Sequence, residues 1–186
     1  MTKIRNAKTE DCLQLAEIYS HYVRNTAITF EYDVPSSEEF GKRLSGIQEK
    51  YPWLVLEEDE RIRGYAYASP FKDRAAYDHA CELSIYLDTD AKGKGYGRML
   101  YEALETRLIR MGITNLYACI SLPEKEDEYL TFDSVRFHEH MGFALCGTFH
   151  QCGYKFDTWY HMVWMEKMIA GHSVPMRPLS PYRETA

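Results

Sequence analysis

Long apolar runs are missing from this 186-residue chain. No stretch approaches the roughly 18 to 20 apolar residues that span a bilayer, and "MTKIRNAKTEDC" holds no apolar core of signal-peptide length. A cytoplasmic protein is expected. Positive charge is in deficit as well: 22 Lys and Arg stand against 28 Asp and Glu, a formal net charge of −6. Nucleic acid and anionic membrane surfaces reward the opposite balance, so neither is an expected partner, and any polyanion must be met by a local patch. The cysteines, Cys12, Cys81, Cys119, Cys146 and Cys152, are odd in number, irregularly spaced and without a CxxC pair. That pattern argues for reduced thiols and against a disulfide framework or zinc site, so no metal is expected. Internal repeats and a second-domain boundary are also lacking.

What is present suffices for one core. A chain of this length at 45% hydrophobic falls in the single-domain range. One domain is predicted over residues 1–169, followed by a tail, 170–186, that carries three of the seven prolines and no periodicity. The tail reads as loose or partner-bound. "KIRNA" reads as a first strand. Thr9 then offers an N-cap with Glu10 and Asp11 in the first turn, and Cys12, Leu15, Ala16, Tyr19, Tyr22 and Val23 follow at helical spacing. Ser36, with Glu39 three residues on, marks a second helix with Phe40, Leu44 and Ile47 as its stripe. "YPWLVLEEDERIRGYAYAS" is a hairpin about a charged turn at Glu58 to Glu60, and "HACELSIYLD" alternates as the next strand. Met99, Leu100, Ala103, Leu104, Leu108 and Met111 mark a long amphipathic helix stopped by Gly112. "NLYACIS", a short helix over Ser134 to Met141, "FALCGTF" and "TWYHMVWMEK" complete a mixed α/β order.

Glycine is scarce, 11 residues in all, yet three fall on alternate positions in "DAKGKGYGRML", among two lysines and an arginine. A helix N-terminus exposes unpaired N–H groups and a partial positive charge, and glycines ahead of it let the backbone approach a ligand without Cβ clashes. Phosphate is the natural guest. A P-loop needs a wider glycine gap and a Gly-Lys-Ser/Thr ending, a dinucleotide fingerprint needs other spacing near the first strand, and a kinase glycine loop lies in a hairpin. The run instead fits Arg/Gln-x-x-Gly-x-Gly/Ala between a strand and a long helix, with Lys92 in the Arg/Gln position and Gly95 and Gly97 as the glycines.

That is the pyrophosphate loop of the GNAT acetyltransferases, which the chain resembles. "TAITFEYD", "YPWLVLEEDERIRGYAYASPFKDRAAYDHACELSIYL", "SVRFHEHMGF" and "CGYKFDTWYHMVWM" are similar, in the same order, to blocks of the branch that acetylates phosphinothricin and methionine sulfoximine. The likeness covers roughly residues 3 to 167. It implies an α/β (α+β) fold: about seven strands in a mostly antiparallel mixed sheet, splayed in the middle, with about four helices. Acetyl-CoA is the implied cosubstrate. Its pantetheine would pair with the backbone of Ile85, Tyr86 and Leu87, and its pyrophosphate with Lys92, Gly93, Lys94, Gly95, Tyr96, Gly97 and Arg98.

The chemistry needs a neutral amine, and an α-amine of reference pKa about 7.7 to 8.0 arrives largely protonated. Glu82, which interrupts an apolar strand, matches the branch's catalytic glutamate and is the expected general base; burial or ordered water must adapt it. An N–H near Leu87 is the expected oxyanion donor. His138 stands where many GNAT enzymes carry a tyrosine acid, so it either protonates the departing thiolate or only packs near it. Similarity places Phe30, Arg74, Ala75, Ala76 and Tyr77 near a small-molecule amine acceptor. Arg74 or Lys72 pairs with an acceptor anion or is a solvated charge, and Lys155 lines the same mouth or is a turn lysine. Between Ile120 and Ser134, "SLPEKEDEYLTFD" is longer than the branch's loop, where an asparagine often contacts the cofactor; Asp133 is the nearest stand-in. The acidic stretch Glu124 to Glu128 reads as a solvated loop that could narrow the acceptor entrance. A homodimer is expected around Trp159, Tyr160, Trp164 and the proline-containing tail. Acetylation of a peptide N-terminus or a polyamine, or acetyl-CoA sensing without turnover, are the alternatives.

Overall fold

The computed structural model describes residues 1–182. Eleven helices and strands longer than one turn follow the expected order: β1 (Thr2–Asn6), α1 (Cys12–Asn25), α2 (Ser37–Gln48), β2 (Trp53–Glu58), β3 (Arg61–Pro70), β4 (Ala80–Leu87), α3 (Tyr96–Met111), β5 (Asn115–Leu122), α4 (Asp133–His140), β6 (Ala144–Lys155) and β7 (Thr158–Met168). The strands form one mixed sheet in the order β1-β2-β3-β4-β5-β7-β6. Every neighbouring pair is antiparallel except β4 and β5. Their parallel pairing follows from the connection, because α3 carries the chain back across the sheet before β5 begins.

The helices bury their predicted stripes on opposite faces. Leu100, Leu104, Leu108 and Met111 of α3 pack with Leu56, Ala66, Cys81, Leu83, Leu116, Val163 and Met165. Leu15, Tyr19, Tyr22 and Val23 of α1 and Phe40 and Leu44 of α2 pack on Trp53, Val55 and Tyr65. Met99, expected in the α3 stripe, is 39% exposed, and Tyr101 is buried in the core. A small third cluster joins Ala27, Leu130 and Tyr160.

Two local expectations are corrected. Thr9 does not cap α1: a 3-10 turn, Thr9–Asp11, comes first, and the Asp11 carboxylate accepts from the Lys8 amide at 2.8 Å and from Arg5 at 2.6 and 2.9 Å. That buried ion pair fixes the entry to the helix. The tail is not loose over its described part. The Ser180 amide donates to Met111 O at 2.8 Å, supplying a partner to a carbonyl at the end of α3, and the Tyr182 hydroxyl donates to Asn6 Oδ1. Residues 183–186 of the tail lie outside the described residues. Other expectations hold: Ser36 Oγ accepts from the Glu39 amide at 3.1 Å, and Gly112 ends α3 at φ 96°.

Candidate active site

The site begins where the sheet fails. β4 and β5 pair only at Ala80–Asn115, Cys81–Leu116 and Glu82–Tyr117, whereas β3 follows β4 to Leu87 and β7 follows β5 to Leu122. Past Glu82 the two strands part. The His79 carbonyl accepts from Thr114 on the β5 side, and the Asp88 amide donates to Arg63 O on the β3 side. Strand alternation therefore turns the backbone of Leu83, Ile85 and Leu87 toward the gap and that of Tyr86 toward β3. A strand edge without a partner is a template for an extended ligand.

Leu87 departs from expectation. Its N–H donates to Tyr22 Oη at 3.1 Å and its carbonyl accepts from the same hydroxyl at 2.7 Å. Tyr22 therefore stands in for the missing strand at that point, and Leu87 is not a free oxyanion donor. Of the three expected pantetheine contacts, Ile85 alone keeps an edge open to the cleft; Tyr86 instead packs its ring edge-on against Tyr19 and Tyr22.

The glycine turn divides its labour. Gly93 and Gly95 sit at φ 76° and 80°, in the left-handed region, and bring the backbone to the start of α3. Gly97 is helical, but a Cβ there would lie 3.1 Å from the Phe137 ring, so its small size sets how closely α3 approaches α4. No side chain caps α3, which leaves its first-turn N–H groups for a ligand. Lys92, Lys94 and Arg98 are exposed around them. Tyr96 points elsewhere: its ring is buried and its hydroxyl donates to Glu58, with Lys94 Nζ 4.0 Å from the same carboxylate. Uncapped amides, left-handed glycines and flanking cations together suit the pyrophosphate of acetyl-CoA.

Glu82 occupies the fork. Burial pushes its carboxyl above the usual carboxylate range, and Lys72 opposes the shift. On the same face of the sheet stand Tyr117, Cys119 and Ser121 of β5, and Cys119 and Ser121 line the cleft with Ile28, Tyr101 and Ser134. Burial also pushes Cys119 up, to about 11, with the Glu82 charge adding to it, so the thiol stays protonated.

His138 lines the cleft but is not a poised acid. Its Nδ1 lies 2.7 Å from Ser134 O, which can only accept, so the proton is on Nδ1. Nε2 then accepts from the Tyr101 hydroxyl at 2.9 Å. Burial drives the imidazole down to about 4. At neutral pH the ring is uncharged and its single N–H is committed to a carbonyl, which favours the packing alternative over the proton donor.

Where similarity places the acceptor, Phe30 lies over Tyr160, ring centroids 6.4 Å apart, and over Gly153. Arg74, Ala75, Ala76 and Tyr77 form an exposed turn beyond the end of β3. Tyr77 meets Phe71 edge-on, and Phe71 stacks on Tyr117 at 4.1 Å. Lys72, over the Phe71 and Trp164 rings at 4.8 and 5.5 Å, is the cation whose field reaches Glu82. Asp133 is exposed beside Arg136, and its neighbour Ser134 lines the cleft in its place. Lys155 is neither a turn lysine nor on a surface: it is buried, and Nζ donates to Thr29 O at 2.8 Å. Sequence reasoning missed Tyr22, Tyr101, Cys119 and Ser121. Tyr22 and Tyr101 look like ordinary core positions at helical spacing, and no local pattern separates them from packing.

A splayed sheet whose open edge leads to an uncapped, glycine-preceded helix defines the class of acetyl-CoA-dependent N-acetyltransferases. Residues 4–164 match the family described as Acetyltransferase (GNAT) domain, and the chain belongs to it. It is 31% identical over 179 residues to a phosphinothricin N-acetyltransferase of Streptomyces viridochromogenes, covering 96% of this chain and 93% of that protein. It is 30% identical to an L-methionine sulfoximine/L-methionine sulfone acetyltransferase of Salmonella typhimurium, covering 92% and 97%. A crystal structure of a phosphinothricin acetyltransferase from Sinorhizobium meliloti in complex with acetyl-CoA superposes with a TM-score of 0.85 at 32% identity, covering 99% of this chain and 97% of that one. Acetyl-CoA is the acyl donor. Among the described residues no three His, Cys, Asp or Glu side chains gather to hold a metal, and no helix is long and apolar enough to cross a membrane.

Proposed function

We propose that this chain, through a catalytic unit of residues 1–169, acetylates the primary amine of a small amino-acid-like acceptor of the phosphinothricin or methionine sulfoximine type, in the cytoplasm. The observation that carries the reading is Glu82, a carboxylate held up by burial at the point where the two strands part. Acetyl-CoA supplies an activated acetyl thioester. Lys92, Lys94, Arg98 and the amides of the glycine turn hold its pyrophosphate, and the Leu83 and Ile85 edge aligns its pantetheine. Glu82 takes a proton from the ammonium of the acceptor, directly or through water, because only the neutral amine carries a lone pair. Lys72 or Arg74 faces the acceptor's anionic group. His138 orients the Tyr101 hydroxyl at the floor of the cleft.

The names of the relatives support the acceptor class. Leu145, Phe149 and Trp159, exposed by 61%, 54% and 56% along β6 and β7, support a homodimer, which sedimentation would show as twice the 21.8 kDa of one chain. The deciding experiment is free-thiol release from acetyl-CoA against phosphinothricin, methionine sulfoximine, methionine sulfone, spermidine and an N-terminal peptide. Turnover with the first three is expected; turnover confined to the peptide or to spermidine would overturn the acceptor class.

A further inference from the structure

The segment between α1 and α2 and the acidic loop between β5 and α4 are tied to each other. Residues 26–30 form no regular structure, yet they are fastened from four directions. The Ala27 amide donates to Tyr129 O of the acidic loop at 3.0 Å, Ser121 Oγ of β5 donates to Ile28 O at 3.3 Å, Tyr19 Oη of α1 meets Thr29 Oγ1 at 2.8 Å, and Lys155 Nζ of β6 donates to Thr29 O at 2.8 Å. So held, the segment presents Ile28 to the cleft and lays Phe30 on Tyr160. Glycine at 153 is what lets Phe30 lie there, since a Cβ would come within 2.2 Å of its ring.

The acidic loop supplies the backing. Asp127 turns both oxygens inward: Oδ2 accepts from the Tyr160 hydroxyl at 2.8 Å, and Oδ1 from the amides of Tyr129 at 2.8 Å and Leu130 at 2.7 Å. Leu130 is buried with Ala27 and Tyr160. At the loop's other end Glu126 Oε1 accepts from the Phe132 amide at 3.0 Å and from Arg136 at 3.2 Å, which fastens it to α4, the helix that carries Ser134 and His138 into the cleft. Residues 124–128 remain exposed, as a solvated loop is, yet these bonds tie the loop to the 26–30 segment on one side and to α4 on the other.

We infer that residues 123–131 are a specificity-determining brace: Asp127, through Tyr160, fixes Phe30 and Ile28 as a wall that admits a small amino-acid-like amine and rejects a bulky one. The inference rests on the acetyl-transfer reading above. A wall fastened by hydrogen bonds cannot recede for a larger side chain without breaking them, so discrimination depends on the fastening as much as on the apolar surface.

Tyr160→Phe, which keeps the ring and removes only the hydroxyl, and Asp127→Asn test it, each assayed with methionine sulfoximine and with tryptophan as a bulky α-amino acid. Each variant is expected to raise the methionine sulfoximine KM about fivefold, the scale of one lost hydrogen bond, while the acetyl-CoA KM stays within about twofold. Relative turnover of tryptophan should rise, and the effect of the double variant should fall short of the sum of the two single effects, because both weaken the Tyr160–Asp127 link. Should Asp127→Asn fail to fold, Tyr160→Phe decides alone. An unchanged acceptor KM, or an acetyl-CoA KM rising in parallel, overturns the brace while leaving acetyl transfer intact. An unmutated protein that turns over no acceptor at all ends both.

Discussion

The half of the proposed site assigned to acetyl-CoA is one stretch of backbone, residues 83–97, on the edge of β4 and the first turn of α3, flanked by Lys92 and Lys94. The half assigned to the acceptor is built differently, from side chains gathered from the α1–α2 segment, β5, the acidic loop and β7, where contacts such as Lys155 to Thr29 bridge 126 positions. Backbone grips whatever is shaped like a strand or a pyrophosphate, with little dependence on neighbouring residues. Side chains discriminate, but each depends on the packing that aims it. One half of the site is therefore generic and robust, and the other is specific and easily misdirected.

The sharpest test of that contrast is the group at the junction. Glu82→Gln should lower kcat by about a hundredfold or more, the usual scale of a lost general base, with the acetyl-CoA KM unchanged within about twofold. Because burial raises the Glu82 carboxyl, the unmutated enzyme should lose kcat/KM on acidification above the usual carboxylate range, and the variant should lose that limb of the pH profile. Stability offers a second break. His138 falls from 6.5 to about 4 on folding, so between those values the unfolded chain binds the extra proton and stability drops as pH falls. At full extent the loss is about 3 kcal/mol, and urea unfolding at pH 7 and pH 4.5 should show part of it abolished in His138→Gln.

Smaller effects sharpen the comparison on the backbone side. Gly97→Ala puts a methyl against the Phe137 ring and should cost about 1–3 kcal/mol in thermal unfolding, while raising the acetyl-CoA KM and not the acceptor KM. Tyr22→Phe should cost about 1 kcal/mol by freeing both Leu87 groups. An acetyl-CoA KM that did not move in Tyr22→Phe would show that the coenzyme makes no use of the strand edge as far as Leu87.

Much of the fold was legible because its signals are local. The spacing of Leu15, Tyr19 and Tyr22, the Ser36 cap and the left-handed Gly112 each lie within a few residues, and the structure keeps them all. The glycine turn leading into α3 was legible for the same reason. The misses involve partners far away in sequence. Asp11 was spoken for by Arg5, so Thr9 lost its capping place; the tail found Met111 and Asn6; Leu87 found Tyr22. His138 shows the same limit: its sequence position left an acid and a packed ring as alternatives, and only its distant partner Tyr101, with Ser134 and burial, distinguishes them by occupying both ring nitrogens and removing the charge.

By itself, the sequence determined the order of elements, the sides each helix buries, and a glycine-preceded helix start without a side-chain cap, because periodicity, capping and glycine conformations act over a turn or two of chain. Tertiary structure alone decided where β4 and β5 stop pairing, which cation faces Glu82, and that the acidic loop would turn inward to support Phe30. Those outcomes depend on desolvation and on hydrogen-bond partners that meet only when distant segments are packed together.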